Sequence, residues 1–371
     1  LIPLHNHTNY SRLDGLSKPK DIASRAVELG LEAIGITDHD LVAGHIDFYN
    51  TMVEHGVKPI LGIEAYQAPY TRFTHEKTQS DKTTKKRLDN FHLILLAKTN
   101  QGLKNLWGLN TESHRSGFWH HGRVDWELLE KYKEGLICTT SCAAGLIPQG
   151  LLHEDDIDTF INKFLGIFGD DFYLELGTYT EAFQVEINQK LSRLAYERSL
   201  PVVYGNDAHY ARIDDYDLHE ATLAVQYNHK LDERASSYHH PCLYIMDEET
   251  VRDYLSYLEP SVVDEAIANT DLIGSQVDVK LPESRNRTPV FIPDKEWNSS
   301  WDMFFELIKK GFDTKVNGEN KEIYVDRLKK EIEVITEAHL YDYFLIVRDY
   351  VVWAKNNGIM VGPVPRIVTG K

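Results

Sequence analysis

The sequence predicts an α/β protein, a distorted seven-stranded barrel wrapped by helices and followed by a smaller, mainly helical module. Three observations carry that reading. Short β-branched or apolar runs alternate with helix-period stretches up to about residue 210, the order that joins parallel strands through crossover helices. Candidate metal donors fall at the carboxyl ends of most of those runs, where such folds build their sites. Beyond Leu281-Pro282, a passage running through Pro289 and Pro293 gives way to helical patterns alone.

The candidate strands lie near residues 2–5, 33–37, 59–64, 91–96, 136–140, 172–176 and 202–206. Between the first two, Pro19 opens a helix expected to bury Ile22, Ala26, Val27 and Leu29, and Gly30 ends it. The next helix shows an apolar face of Ile46, Tyr49, Met52 and Val53, closed by Gly56. His92 breaks the rule of donors at strand ends. It opens the run Phe91–Leu96, so a simple parallel order is expected to fail there. Residues 70–90 are polar and aperiodic and read as a mobile surface loop. The stretch from His114 to Arg123 interleaves basic and aromatic side chains, fitting a solvated loop or a phosphate contact. From about 210 the first domain continues as a helical extension to residue 280, and a linker and second module occupy 281–371. There, Tyr324, Leu328, Ile332 and Ile335 form one helical stripe. Tyr343, Ile346, Val347, Tyr350 and Ala354 form another, which ends at Asn356-Asn357-Gly358.

Composition narrows the function. With 42% hydrophobic and 26% charged residues the chain is an ordinary globular one, and its 371 residues exceed what one core usually holds. The 57 acidic residues against 40 basic give a formal charge of −17, which argues against a free-standing, indiscriminate nucleic-acid binder. A strand held through bound cations stays compatible, because the ions reverse the local charge. Three cysteines, Cys138, Cys142 and Cys242, are too few for a disulfide framework and suit a reducing compartment. No apolar run approaches the roughly 18 to 20 residues of a membrane span, so a cytoplasmic protein with no membrane partner is expected. The chain starts at Leu1 and stops at Lys371 in a way that reads as a fragment of something longer.

The chemistry gathers from His5-Asn6-His7, where alternation along an extended strand points both imidazoles the same way. His39 follows the second strand, Glu64 ends the third, Cys142 follows the fifth, and Asp207 and His209 follow the seventh. Asp14 and His92 complete a set of nine donors. Each alone has an ordinary reading, as a hydrogen-bonded core histidine, an inert thiol or a turn. Together at strand ends they point to metal. Nitrogen and thiolate donors with carboxylates suit zinc, with manganese or iron as alternatives. Two ions about 3.5 to 4 Å apart would activate a shared water and hold phosphoryl oxygens, the chemistry of phosphoester hydrolysis.

The motifs Leu4–Gly15, Gly35–His39, Pro59–Glu64 and Gly205–Tyr210 resemble those of the polymerase and histidinol phosphatase (PHP) domain. Tyr341–Lys355 and Val361-Gly362-Pro363 resemble the start of the palm in the bacterial DNA polymerase III α subunits, a C family of replicative polymerases, of which the chain looks like an amino-terminal part. The resemblance implies a PHP-type distorted (β/α)7 barrel with a trinuclear site. In it, His5, His7, Glu64 and Asp207 hold one ion; Glu64, His92 and Cys142 a second; Asp14, His39 and His209 a third. It implies a metal-dependent 3′ to 5′ proofreading exonuclease acting on a primer-template 3′ end, with Glu64, Asp207 and His209 catalytic. Arg12, Arg115 and Arg123 are the candidate substrate contacts. Two to three divalent ions are the expected cofactors. The expected partners are DNA and the remainder of the polymerase, with a sliding clamp or a proofreading subunit besides. A small-molecule phosphomonoesterase and a silent scaffold docking a proofreading subunit are the alternatives. The palm's catalytic aspartates are absent, so the chain is not expected to polymerise DNA. Val364–Lys371 departs from the family's glycine- and serine-rich run, as a junction or a divergent relative such as a phage polymerase would.

Overall fold

The computed structural model describes residues 1–74, 90–153, 155–231, 241–282, 289–294, 296–316 and 321–362. Most of the expected 70–90 loop, part of the expected linker and the divergent 364–371 end therefore lie outside the described residues. The strands are β1 (Ala33–Ile36), β2 (Lys58–Gln67), β3 (Phe91–Ala97), β4 (Arg123–Val124), β5 (Leu136–Thr139), β6 (Phe172–Leu176) and β7 (Val202–Tyr204). The first helices are α1 (Pro19–Glu28), α2 (His45–Glu54), α3 (Asn100–Ser116), α4 (Trp126–Tyr132), α5 (Leu146–His153), α6 (Asp158–Phe168) and α7 (Ala182–Arg198). Then come α8 (Tyr216–Tyr227), α9 (Glu248–Tyr254), α10 (Pro260–Gln276), α11 (Ser300–Lys315), α12 (Lys321–Glu337) and α13 (Tyr341–Asn356). The chain divides into two units, Leu1–Leu281 and Pro282–Lys371. Among the described residues no helix is long and apolar enough to cross a membrane.

In the first unit the strands run β1-β2-β3-β5-β6-β7, with β4 added to β2. Most neighbours are parallel, but β3 is antiparallel to both β2 and β5. That reversal is the break foreseen at His92. Because β3 runs backwards, its first residues lie at the edge where its neighbours end, and His92 pairs with Tyr66.

The expected strand at 2–5 is not a regular one. It is an extended closing segment, with Gly35 N donating to Pro3 O, Thr37 N to Asn6 O, and His7 N to Ala208 O. It thus ties β1 to the chain just past β7 and closes the barrel. Gly35 is needed there: a Cβ would lie 3.0 Å from Leu4 Cα and closer still to its carbonyl.

The strand interiors are buried on both faces (Ile34, Ile36, Ile60, Leu61, Leu95 and Leu174 at 0% exposure), as expected of strands covered by helices outside and packed side chains within. Helix α1 buries Ile22, Ala23 and Ala26 and leaves Val27 exposed. In α2 the buried stripe is His45, Phe48 and Met52, whereas Ile46 and Val53 face solvent. Met52 is buried and Tyr49 half-buried as expected; a one-residue shift turns a helix by about 100°, which is why His45 and not Ile46 faces inward. Gly30 and Gly56, both at positive φ, end these helices as expected. The extension after residue 210 closes the barrel's far end. Thr270 Oγ1 of α10 accepts from Ile2 N, and Asn269 Nδ2 donates to Val202 O.

In the second unit the Ser299 hydroxyl caps α11. Among its described residues Phe304 and Leu345 are the buried apolar side chains, and Phe304 packs on Phe344. Leu328, Ile332 and Ile335 are half-buried as their stripe predicts, but Tyr324, Tyr343 and Tyr350 are exposed.

Candidate metal centre

The nine expected donors converge on the edge where β2 ends, β3 begins and the closing segment meets the turn after β7. His5 Nε2 and His7 Nε2 lie 3.2 Å apart, and Asp207 Oδ1 is 3.1 Å from the first and 3.2 Å from the second. Glu64 reaches donors on several sides. Its Oε1 is 3.3 Å from His5 Nε2 and 3.0 Å from His92 Nδ1, and its Oε2 is 2.6 Å from His39 Nδ1. Cys142 Sγ lies 3.6 Å from His92 Nδ1 and 3.8 Å from Glu64 Oε1. On the other flank, Asp14 reaches His39 Nε2 at 3.0 Å and His209 Nε2 at 3.7 Å. His5, His7 and Glu64 are sealed, at 1% exposure or less, while the side chains of His39, His92 and Asp14 keep 16 to 22%. The centre therefore opens on the His39–His92–Asp14 side.

The outer groups fix which nitrogen faces inward. His209 Nδ1 lies 2.8 Å from the Asp207 carbonyl, which only accepts, so the proton sits there and Nε2 offers its lone pair to the centre. His5 Nδ1 is 2.6 Å from Glu175, a buried carboxylate that also accepts from the Thr139 hydroxyl. His7 Nδ1 contacts Ser11, which is held by Asp38. Ser141 donates to Glu64 and Tyr179 to Asp207. Such outer partners orient metal ligands in general.

Electrostatics favour added positive charge. Burial alone would lower the His5 pKa, but Asp207, Glu175 and Glu64 outweigh it and raise it well above the usual value. His39 and His209 are raised against burial, by Glu64 and Asp14 respectively in the first place. Burial and the neighbouring His39 and His209 push His7 down to about 3. Burial would raise Glu64, yet His92, His39 and His5 hold it well below the carboxylate range. The Cys142 thiol is pushed up by burial and then by Asp207 and Glu64. His39 Nδ1 and Glu64 Oε2, though 2.6 Å apart, lack hydrogen-bond geometry and remain buried without a hydrogen-bond partner. Both residues belong, with His92, to a set of donor atoms close enough to share one cation.

Three overlapping donor sets have their atoms within 4.8 Å of one another: His7, His39 and His209; His5, His7 and Glu64; His39, Glu64 and His92. These suit divalent ions. Residues 3–179 match the family model described as the PHP domain, and residues 302–364 the one described as the bacterial DNA polymerase III alpha NTPase domain. The PHP match thus covers just under half of the chain. It is 34% identical, over 98% of its length, to DNA polymerase III subunit alpha of Aquifex aeolicus (strain VF5), covering 32% of that protein. It is also 34% identical, over 97% of its length, to the subunit of that name from Borreliella burgdorferi, covering 31% of it. The chain thus spans about a third of the length of the curated relatives it matches. The solved structure of an amidohydrolase from Chromobacterium violaceum aligns with 56% of this chain and 87% of its own, at 14% identity and a TM-score of 0.37, a likeness that carries no argument.

The PHP match stops at residue 179, so Asp207 and His209 join the site from beyond it, through β7 and its turn. Of the three arginines expected at a substrate surface, Arg12 and Arg115 are exposed, Arg115 beside Glu112. Arg123 is buried instead, its guanidinium donating to the carbonyls of Gly117, Thr74 and Arg72. It ties its own loop to the segment after β2. Sequence reasoning missed Glu175, Asp38, Ser141 and Tyr179. Only Glu175 carried a readable signal, as an acid inside the apolar run Phe172–Leu176.

Proposed function

We propose that this PHP domain is a divalent-metal phosphodiesterase that removes nucleotides from DNA 3′ ends, working within a cytoplasmic DNA polymerase III α-like protein. The observation that supports it most is the meeting of His5, His7, His39, His92 and Cys142 around Glu64, with Asp207 beside the first two and Asp14 and His209 flanking His39. In this reading His5, His7, Glu64 and Asp207 hold one ion, Glu64, His92 and Cys142 a second, and Asp14, His39 and His209 a third; zinc suits the set, with manganese or iron as alternatives. Bound there, the ions would neutralise phosphate oxygens and make water acidic enough to attack.

The chain supplies the rest. Tyr179 and Ser141 fix the carboxylates of Asp207 and Glu64. His209, anchored on the Asp207 carbonyl, holds its Nε2 toward Asp14. The scissile phosphate enters from the open side past His39 and His92. The second unit begins the polymerase module, whose remainder, with the primer-template and a clamp or proofreading subunit, makes up the partners.

Asp207→Asn tests this. Removing one donor charge should cut release of nucleotides from a 3′-mismatched primer by at least about 100-fold and lower metal per chain, measured by elemental analysis. Undiminished nucleotide release in that variant would refute the assignment. Phosphate release from small esters without any action on DNA would favour a phosphomonoesterase instead.

A further inference from the structure

The open side of the centre carries an aromatic wall that no motif accounts for. Tyr66, which pairs with His92 across β2 and β3, meets the His92 ring edge-on at 5.1 Å and lies 6.0 Å from the His39 ring at an interplanar angle of 23°. His121 stacks on Tyr66 at 4.1 Å and 26°, with its side chain still 44% exposed. The loop bearing His121 is fixed in place. Trp119 N donates to His121 O across a tight turn, with His120 at positive φ.

Asp40 does the fixing. It is the residue after His39, it sits at positive φ, and its N–H is bonded to the Glu64 carbonyl. Its carboxylate accepts from Gly122 N at 3.0 Å and pairs with His114 Nε2 at 3.1 Å. A Cβ on Gly122 would meet both His114 and Asp40 at under 3.0 Å, so the loop can approach only there as glycine. One residue thus couples a metal-donor histidine to the loop that carries the outer ring of the stack.

What could use such a wall follows from charge. A formal charge of −17 argues against gripping a strand by charge alone. Aromatic side chains grip bases of any sequence by stacking, and a pair already stacked beside the centre offers one further π-face. We infer that His121, backed by Tyr66 and pinned by Asp40, is the platform for the base of the 3′-terminal nucleotide, holding its phosphate over the metal donors. This rests on the 3′-nuclease reading above.

The test uses the full chain and two single strands that differ only in whether the 3′-terminal nucleotide carries a base or is abasic. kcat/KM is measured on both. Dissociation constants are measured by anisotropy with a cleavage-resistant phosphorothioate as the last linkage. The unaltered chain should prefer the base-bearing end by about 5- to 160-fold, the range set by stacking of one base. His121→Ala should collapse that preference toward one in both measurements, and His121→Phe, which keeps a π-face, should restore most of it. If His121→Ala keeps the preference, or His121→Phe falls as far as alanine, the platform is refuted while the nuclease reading stands. If the unaltered chain cleaves neither strand, the nuclease reading fails and takes the platform with it.

Discussion

His45 offers the cleanest measurable link between this sequence and its stability, because it is buried, neutral and away from the metal donors. Its Nε2 is 2.8 Å from the Gly62 carbonyl and its Nδ1 accepts from Trp107 Nε1 at 3.0 Å, so both nitrogens are committed in the uncharged ring. Burial lowers its pKa from 6.5 to about 4, only partly offset by the bond to Gly62. Above pH 6.5 the folded and unfolded chains both hold it neutral, and its contribution is complete. Below 6.5 the unfolded chain binds a proton that the folded chain refuses, so stability falls until the folded ring also titrates near 4. Between pH 8 and pH 5.5 that loss is about 1.4 kcal/mol. Other buried groups titrate as well, so the measurement is a difference. Urea unfolding of the chain and of His45→Gln, followed by circular dichroism, should show the variant less stable at pH 8 by about 1 to 3 kcal/mol. The gap should narrow by about 1.4 kcal/mol at pH 5.5, since glutamine does not titrate. Parallel stability profiles for the two proteins would show that His45 is not held neutral by this cage.

Glu175→Gln keeps the size and one acceptor but loses the charge facing His5 Nδ1, and is expected to weaken metal affinity by about 10- to 100-fold in chelator competition, with the fold intact by circular dichroism. Asp125→Ala breaks the pair with Arg72 Nη1 at 2.9 Å and the cap on Leu128 N; urea unfolding should show a loss of about 2 to 4 kcal/mol from the charge-assisted bonds and the cap, with Glu127 at 3.1 Å still pairing Arg72.

The candidate donors were legible in the sequence because His39, Glu64 and Asp207 fall at or just past the ends of apolar runs and His5 and His7 alternate along an extended one. Their supports were not legible. Asp38, Ser141 and Tyr179 are ordinary polar residues, and they matter only through partners far along the chain, as in the Ser141–Glu64 and Tyr179–Asp207 bonds. Helix faces were readable to within one position, which was enough to find α2 and not enough to see that His45 rather than Ile46 turns inward. The two-residue β4 escaped because its ladder is too short to leave a period, and the segment at 2–5 was legible as extended chain though not as an irregular closing one. Arg123 was misplaced for a related reason. A basic residue beside aromatics looks the same in sequence whether it faces phosphate or buried backbone carbonyls.

The reversal of β3 is what makes a centre this dense possible. In an all-parallel barrel each strand brings only its carboxyl end to the site, and successive strands are separated there by a full crossover. Here β2 ends and β3 begins on the same edge, so Glu64, Tyr66 and His92 come from one antiparallel pair with Tyr66 opposite His92. The next strand, β5, is antiparallel to β3 and again ends at that edge, which delivers Cys142. Glu64 can therefore touch imidazoles from the closing segment, from the turn after β1 and from β3 at once. A parallel β3 would carry His92 to the far end of its strand, about 20 Å away at 3.3 Å per residue, and leave Cys142 without its neighbour. The anomaly at His92 in the sequence was thus a statement about topology: a donor at the wrong end of a strand means that the strand runs the other way.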